Sequence, residues 1–239
     1  MATGGHVKAL LNLGLHDPNI IGRPNVVTTL MEDTSGPWME HFAHKEARDQ
    51  QGQFMADAYL SLIKGRTIIA EAPTGLGKTA ASLASALAAM KQSENVKKIL
   101  FLTGRQSQHK IVIDTVRKLN DNRKDHPNVA IVDLIGRESM CGKLTIDRQC
   151  FCEEGVSEKA RGGRRSQLKR WILEWPRHVE ETVKNGRIEG TCPYMCCIEA
   201  AREAEIIVMD YNHVFVESVS DSSLPSMSID VGSSIVIVD

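Results

Sequence analysis

Glu71-Ala-Pro-Thr-Gly-Leu-Gly-Lys-Thr79 brings two glycines, a lysine and a hydroxyl together at the spacing that holds a polyphosphate. Gly75 and Gly77 can take backbone angles closed to other residues, so successive N–H groups turn inward onto an anion at the positive end of a helix. Lys78 would reach the β- and γ-phosphates, and Thr79 would ligate Mg²⁺. Ala72, Pro73, Thr74 and Leu76 complete the loop, with Ala72 standing where the general pattern has its first glycine. Asp239, which ends the apolar run Ser234-Ile-Val-Ile-Val-Asp239, is a second group for the same chemistry. In phosphate-loop enzymes a carboxylate at the end of such a strand holds the hydration shell of Mg²⁺. The two motifs imply binding of a nucleoside triphosphate. The acid that would follow Asp239 is not in the sequence, so the expectation is of an N-terminal piece of a longer ATPase.

The six cysteines form a second chemical group, all of them beyond Met140. Thiolates without partnering histidines select zinc or an iron–sulfur centre, and Cys141, Cys150, Cys152 and the distant Cys192 supply four. The paired Cys-x-x-Cys knuckles of a zinc ribbon are missing. Cys192 precedes Pro193 at an expected helix start, where the dipole favours a thiolate and proline suits the first turn. Cys196 lies one helical turn further and competes as a ligand, whereas Cys197 points elsewhere.

These groups need a scaffold. Apolar runs at Thr67–Ala70, Lys98–Thr103, Val129–Leu134, Glu205–Asp210 and Ser234–Asp239 read as strands buried on both faces. Helical patterns at about Thr79–Met90 and Ser107–Leu119 separate the first of them, so the fold class is α/β: a parallel sheet flanked by helices. From Gly136 to about Ala200 the pattern breaks, and this segment reads as a small, mostly helical insertion. Within it Lys159, Arg161, Arg164, Arg165, Lys169, Arg170 and Arg177 face only Glu174, which makes either a solvated face or a phosphate track with Arg164 and Arg165 at its centre. Leu168, Trp171, Ile172 and Trp175 recur at helical spacing and read as the insertion's core in preference to a base-stacking platform. His109 and His213 lie near motifs and receive no catalytic role.

Composition adds limits. The 239 residues are 42% hydrophobic, enough for a sizeable core, and the formal charge of −1 means that nucleic acid could be held only by local basic patches. No apolar run reaches membrane-spanning length and no secretory signal opens the chain, so a cytoplasmic location and no membrane partner are expected.

In order along the chain, these stretches resemble the motifs of the XPD family of superfamily 2 DNA helicases. Arg48-Asp-Gln-Gln51-Gly-Gln-Phe54-Met55 is similar to the family's adenine-reading Q motif, and the phosphate loop to its first helicase motif. Leu102-Thr103-Gly104-Arg105-Gln106-Ser107-Gln108 is similar to the next motif. Asp133-Leu-Ile-Gly-Arg137, Cys192-Pro193-Tyr194 and Glu205-Ile-Ile-Val-Met-Asp-Tyr-Asn212 match segments around the family's cysteine insertion. The resemblance runs over residues 42–239, and details such as Gly-Leu-Gly-Lys-Thr-Ala-Ala lean towards archaeal members, with a nucleoid-associated location.

That resemblance implies a RecA-like first motor domain over residues 41–136 and 201–239, an iron–sulfur insertion over 137–200, and an unassigned segment over 1–40. It implies ATP with Mg²⁺ in the loop, Gln51 reading adenine, and a 4Fe-4S cluster on Cys141, Cys150, Cys152 and Cys192. The single residue between Cys150 and Cys152 is tighter than the family pattern, so either could be the non-ligand. Thr103 and Arg105 would meet the backbone of single-stranded or forked DNA. The implied activity is 5′ to 3′ unwinding in DNA repair by a monomer, with repair or transcription factors as partners, through ATP hydrolysis between two motor domains. Residues 1–239 alone are then expected to hydrolyse ATP negligibly. Two other readings remain open: a non-catalytic, zinc-stapled nucleic-acid-binding module with a phosphate-loop switch, and an unrelated P-loop enzyme such as a nucleotide kinase.

Overall fold

The computed structural model describes residues 10–11, 35–72, 75–123, 126–141 and 153–239. The chain divides into two compact units, Met1–Leu100 with Asp230–Asp239, and Phe101–Ile229.

Two packed helices organise the first unit, α1 (Asp49–Ile63) and α2 (Lys78–Gln92). Every residue of α2 from Ala80 to Met90 is buried. Alanine is the best helix former, and its short side chain lets α1 approach closely. Ser85 Oγ lies 3.0 Å from the carbonyl of Met55 on α1 and 3.0 Å from that of Ala81, which satisfies a hydroxyl that burial would otherwise penalise. A short 3₁₀ turn, Pro37–His41, packs on α2 and sets Trp38 against Tyr59 with ring centroids 5.4 Å apart. Part of the segment left unassigned from the sequence is therefore core.

Among the described residues the strands are β1 (Leu10–Leu11), β2 (Lys98–Leu102), β3 (Ile131–Asp133), β4 (Ile206–Met209) and β5 (Ser234–Val238). Their order is β1-β5-β2-β4-β3. β5, β2, β4 and β3 form a parallel sheet, and β1 joins β5 antiparallel, with Leu10 opposite Ile237. β3 and β4 pair with Ile131 opposite Ile206. All five residues of β2 are buried, as a strand covered on both faces requires. Four of the five expected strands form. The fifth, Thr67–Ala70, makes only an isolated bridge at Ile68, and Ile69 is 79% exposed.

In the second unit α3 (Gln106–Asn122) buries His109, Val112, Ile113, Val116 and Leu119, a single stripe at helical spacing. Asn120 closes the turn into β3: its amide donates to Val129 O at 3.2 Å and accepts from Val129 N–H at 2.9 Å. Between β3 and β4 lie α4 (Arg137–Met140), α5 (Glu158–Glu174), α6 (Val179–Glu189) and α7 (Pro193–Ala201). After β4 come α8 (Asn212–Phe215) and α9 (Glu217–Ser226). α5 buries only Leu168 and Ile172, against α6 and α7. α6 can approach because Gly186 has no side chain: a Cβ there would lie 3.0 Å from Pro193 Cβ and 3.3 Å from Leu168 Cδ2. The expected stripe thus divides. Leu168 and Ile172 are core, while Trp171 is half-buried beneath the Arg177 guanidinium, 4.1 Å from its ring centroid.

Candidate functional site

In the first unit α2 starts directly from the phosphate loop. Gly75 has φ +87° and Gly77, the residue before α2, has φ +82°, both in the left-handed region that glycine enters freely. Pro73 and Thr74 lie outside the described residues. Ala72 and Leu76 are buried and anchor the loop on either side. Lys78 Nζ lies 3.4 Å from Ala72 O, so the ammonium is folded back over the loop. Thr79 sits in the first turn of α2, half-buried.

α1 supplies a second layer. Gln51 is buried and both ends of its amide are engaged: Oε1 accepts from Arg48 N–H at 3.3 Å, and Nε2 donates to Gly77 O at 3.2 Å. Arg48 Nη1 donates to Gly75 O. The expected adenine-reading segment therefore braces the two left-handed glycines before α2. A Cβ on Gly77 would fall 2.6 Å from Gln51 Nε2, so this contact too selects glycine. Asp239 follows β5 and is half-buried, and α2 packs on β5.

In the second unit Thr103, Gly104 and Arg105 link β2 to α3. Thr103 is buried, and its N–H donates to Met209 O at 3.1 Å. Gly104 lies against Tyr211, where a Cβ would be 2.9 Å from the ring. Arg105 is exposed at the start of α3. A cavity of about 510 Å³ opens beyond it, lined by Gln106, Ile135, Val179, Lys184, Arg187 and Ile188 among others. Of the two arginines expected at the centre of a basic track, Arg164 is exposed and Arg165 is half-buried. Arg164 donates to Gly190 O at 3.2 Å, and Arg165 forks onto Glu153 and reaches Glu199.

The Arg165–Glu153 pair is tied to the cysteines. Glu153 Oε1 also accepts from Thr191 Oγ1 at 2.7 Å and from Cys192 N–H at 3.2 Å. Burial pushes the Glu153 carboxyl up, but the hydrogen bonds of Arg165, Thr191 and Cys192 outweigh it and hold the pKa at about 2. Cys192 is buried immediately before Pro193 and α7, as expected. Cys141 is buried at the end of α4, which packs on α7. Cys150 and Cys152 lie outside the described residues. Cys196 is buried 4.0 Å from Thr191 Oγ1, its thiol pushed up to about 12 by burial, and Cys197 is turned inward 3.8 Å from Asp133 O. Among the described residues no three His, Cys, Asp or Glu side chains converge on a metal-sized centre.

No local pattern signals the partnership of His109 with Asp133, 2.5 Å apart. They lie 24 positions apart on different elements, and only the packing of α3 on β3 joins them. Glu153 was equally hidden, as one acid among thirty.

Comparison with known proteins matches residues 101–239 to the DEAD_2 family and residues 49–144 to the DEAD/DEAH box helicase family. The regulator of telomere elongation helicase 1 of Rattus norvegicus is 31% identical over 101 residues, 42% of this chain and 7% of that protein. The solved structure of XPD helicase superposes with a TM-score of 0.52 at 20% identity, over 82% of this chain and 33% of that one. A truncated XPD gives a TM-score of 0.46 at 18% identity, over 80% and 51%. The chain therefore spans a small part of the rat protein and about a third of the XPD helicase chain. Its fold is the RecA-like helicase motor fold. No helix among the described residues is long and apolar enough to cross a membrane.

Proposed function

The chain belongs to the DEAD_2 family, and from that premise we propose that it is the nucleotide-binding motor segment of an ATP-dependent, XPD-like DNA helicase. The observation that carries this reading is the phosphate loop with its brace: left-handed Gly75 and Gly77 opening α2, with Gln51 and Arg48 bonded to their carbonyls. In this reading Ala72 to Thr79 cradle the phosphates of ATP, Lys78 moves from Ala72 O onto them, and Gln51 reads adenine. Thr79 and Asp239 would hold Mg²⁺, which when bound would supply positive charge beside the phosphates.

Residues 41–136 and 201–239 make up the motor domain, residues 137–200 the insertion, and 1–40 stay unassigned. A 4Fe-4S cluster would be held by Cys141, Cys150, Cys152 and Cys192; of these Cys141 is buried after α4 and Cys192 is buried before α7, its N–H donating to Glu153. The cluster would cross-link the insertion through thiolate ligands. Thr103 and Arg105 would contact single-stranded or forked DNA, with Arg105 as the open cation, while Arg165 serves the insertion's own structure. Unwinding 5′ to 3′, a role in repair, a monomeric state, repair or transcription factors as partners, and an archaeal-like, nucleoid-associated cytoplasmic setting rest on the resemblance. Residues 1–239 expressed alone should bind nucleotide and turn it over negligibly, since hydrolysis in such motors takes place between two motor domains.

Strand separation by the full-length protein tests the proposal. Duplexes with a 5′ overhang should open in the presence of MgATP, and those with a 3′ overhang should not. No opening of either would refute it. Purified without oxygen, the protein should be brown, with close to four irons and four acid-labile sulfides per chain, and Cys192→Ser should bleach it. Colourless protein holding one zinc would transfer the cysteines to the stapled binding module.

A further inference from the structure

Asp133, at the end of β3, has both carboxylate oxygens and its carbonyl engaged, each by a different helix. Oδ1 lies 2.5 Å from His109 Nδ1 in the first turn of α3. Oδ2 accepts at 2.8 Å from the N–H of Val179, the first residue of α6, and the carbonyl lies 3.8 Å from Cys197 Sγ on α7. The carboxylate is closed to solvent and His109 is 2% exposed. His178 adds a weaker contact. Its Nδ1 accepts from Glu180 N–H, and its Nε2 faces Asp133 Oδ2 from 3.7 Å.

A buried carboxylate persists only where donors offset its desolvation, and it ties those donors to one another. The donors here come from two parts of the fold. His109 belongs to the helix that Arg105 opens, and the Arg105 carbonyl accepts the His109 N–H at 3.3 Å. Val179 and Cys197 belong to the cysteine insertion. A continuous hydrogen-bonded path therefore runs from Arg105 through His109 and Asp133 to the first turn of α6.

We propose that Asp133 and His109 are positioning residues that couple the Thr103–Arg105 segment to the cysteine insertion, so that a DNA strand held at Arg105 is registered at the start of α6. This rests on the DNA reading of Arg105 given above. The tie between α3 and α6 is a separate claim that can be tested without DNA.

The experiment is amide hydrogen exchange, read by mass spectrometry, on the wild-type protein and on Asp133→Asn, His109→Leu and His109→Asn, each with and without oligodeoxythymidylate. Asparagine can place its amide N–H where His109 Nδ1 stands, so His109→Asn should behave as wild type. Without DNA, Asp133→Asn and His109→Leu should speed exchange at Val179–Glu181 by about tenfold to a hundredfold, the shift expected when a hydrogen bond to a charged group is lost. With DNA, wild type should gain protection both at Gln106–Lys110 and at Val179–Glu181. The two disrupted variants should gain it only at the first. Equal protection of both segments in all four proteins, or unchanged exchange at Val179–Glu181 in His109→Leu, would overturn the proposal. If DNA protects nothing in wild type, the DNA reading of Arg105 fails and the coupling fails with it, while faster exchange at α6 in the DNA-free variants would still support the tie.

Discussion

Gly77→Ala probes the brace between α1 and the phosphate loop most sharply. Two costs add. The residue sits at φ +82°, ψ +40°, where a side chain costs about 1–2 kcal/mol. The new Cβ would also fall 2.6 Å from Gln51 Nε2, so the amide must swing away and its bond to Gly77 O, worth about 0.5–1.5 kcal/mol, is lost. An empty loop can relax out of the strained angle, and nucleotide must then restore it. Affinity for ATP should therefore fall by about tenfold to a few hundredfold, at 1.4 kcal/mol per decade. Gly75→Ala is the control: φ is +87°, but nothing lies within 4 Å of the added Cβ, so only the backbone cost applies, about fivefold to thirtyfold. Titration of a fluorescent ATP analogue against each variant, alone and with Gln51→Ala, completes a double-mutant cycle. The Gly77 and Gln51 changes should fall short of additivity by the shared bond, whereas those at Gly75 and Gln51 should add. Equal losses at the two glycines, both additive with Gln51→Ala, would refute the brace.

Asn120→Ala should lower stability by about 3 kcal/mol in urea unfolding, because it strips the buried Val129 N–H and carbonyl of a partner; an unchanged midpoint would contradict this. Glu153 has a folded pKa of about 2, below its ordinary 4.5, so its stabilisation is complete above that ordinary value and is lost as pH falls towards 2. Glu153→Gln should flatten the acid limb of the stability profile between those values, and an unaltered limb would contradict the network. Arg105→Ala should reduce the salt dependence of single-strand binding by about 0.7 in log–log slope, one phosphate contact fewer. Arg165→Ala should leave that slope unchanged and lower the melting temperature, because its guanidinium is spent on Glu153 and Glu199.

What was legible in the sequence follows from how local each signal is. The Ala-rich α2 and the four parallel strands are written in contiguous residues, and they form where expected. Cys192 before Pro193 marked the start of α7 for the same reason. Thr67–Ala70 misled because an apolar run shows that a segment can be buried, while pairing depends on a neighbour that the run does not encode. The basic stretch around Arg165 looked open because its partners, Glu153 and Glu199, are 12 and 34 positions away. Trp38 and the His109–Asp133 pair were hidden likewise, since tertiary packing alone brings their partners to them.

DNA-stimulated ATP hydrolysis by the full-length protein tests the central claim most directly. Phosphate release should rise when single-stranded DNA is added and should vanish in Lys78→Ala, with the fold retained. Turnover indifferent to DNA, or turnover that survives the loss of Lys78, would contradict a helicase motor built on this loop.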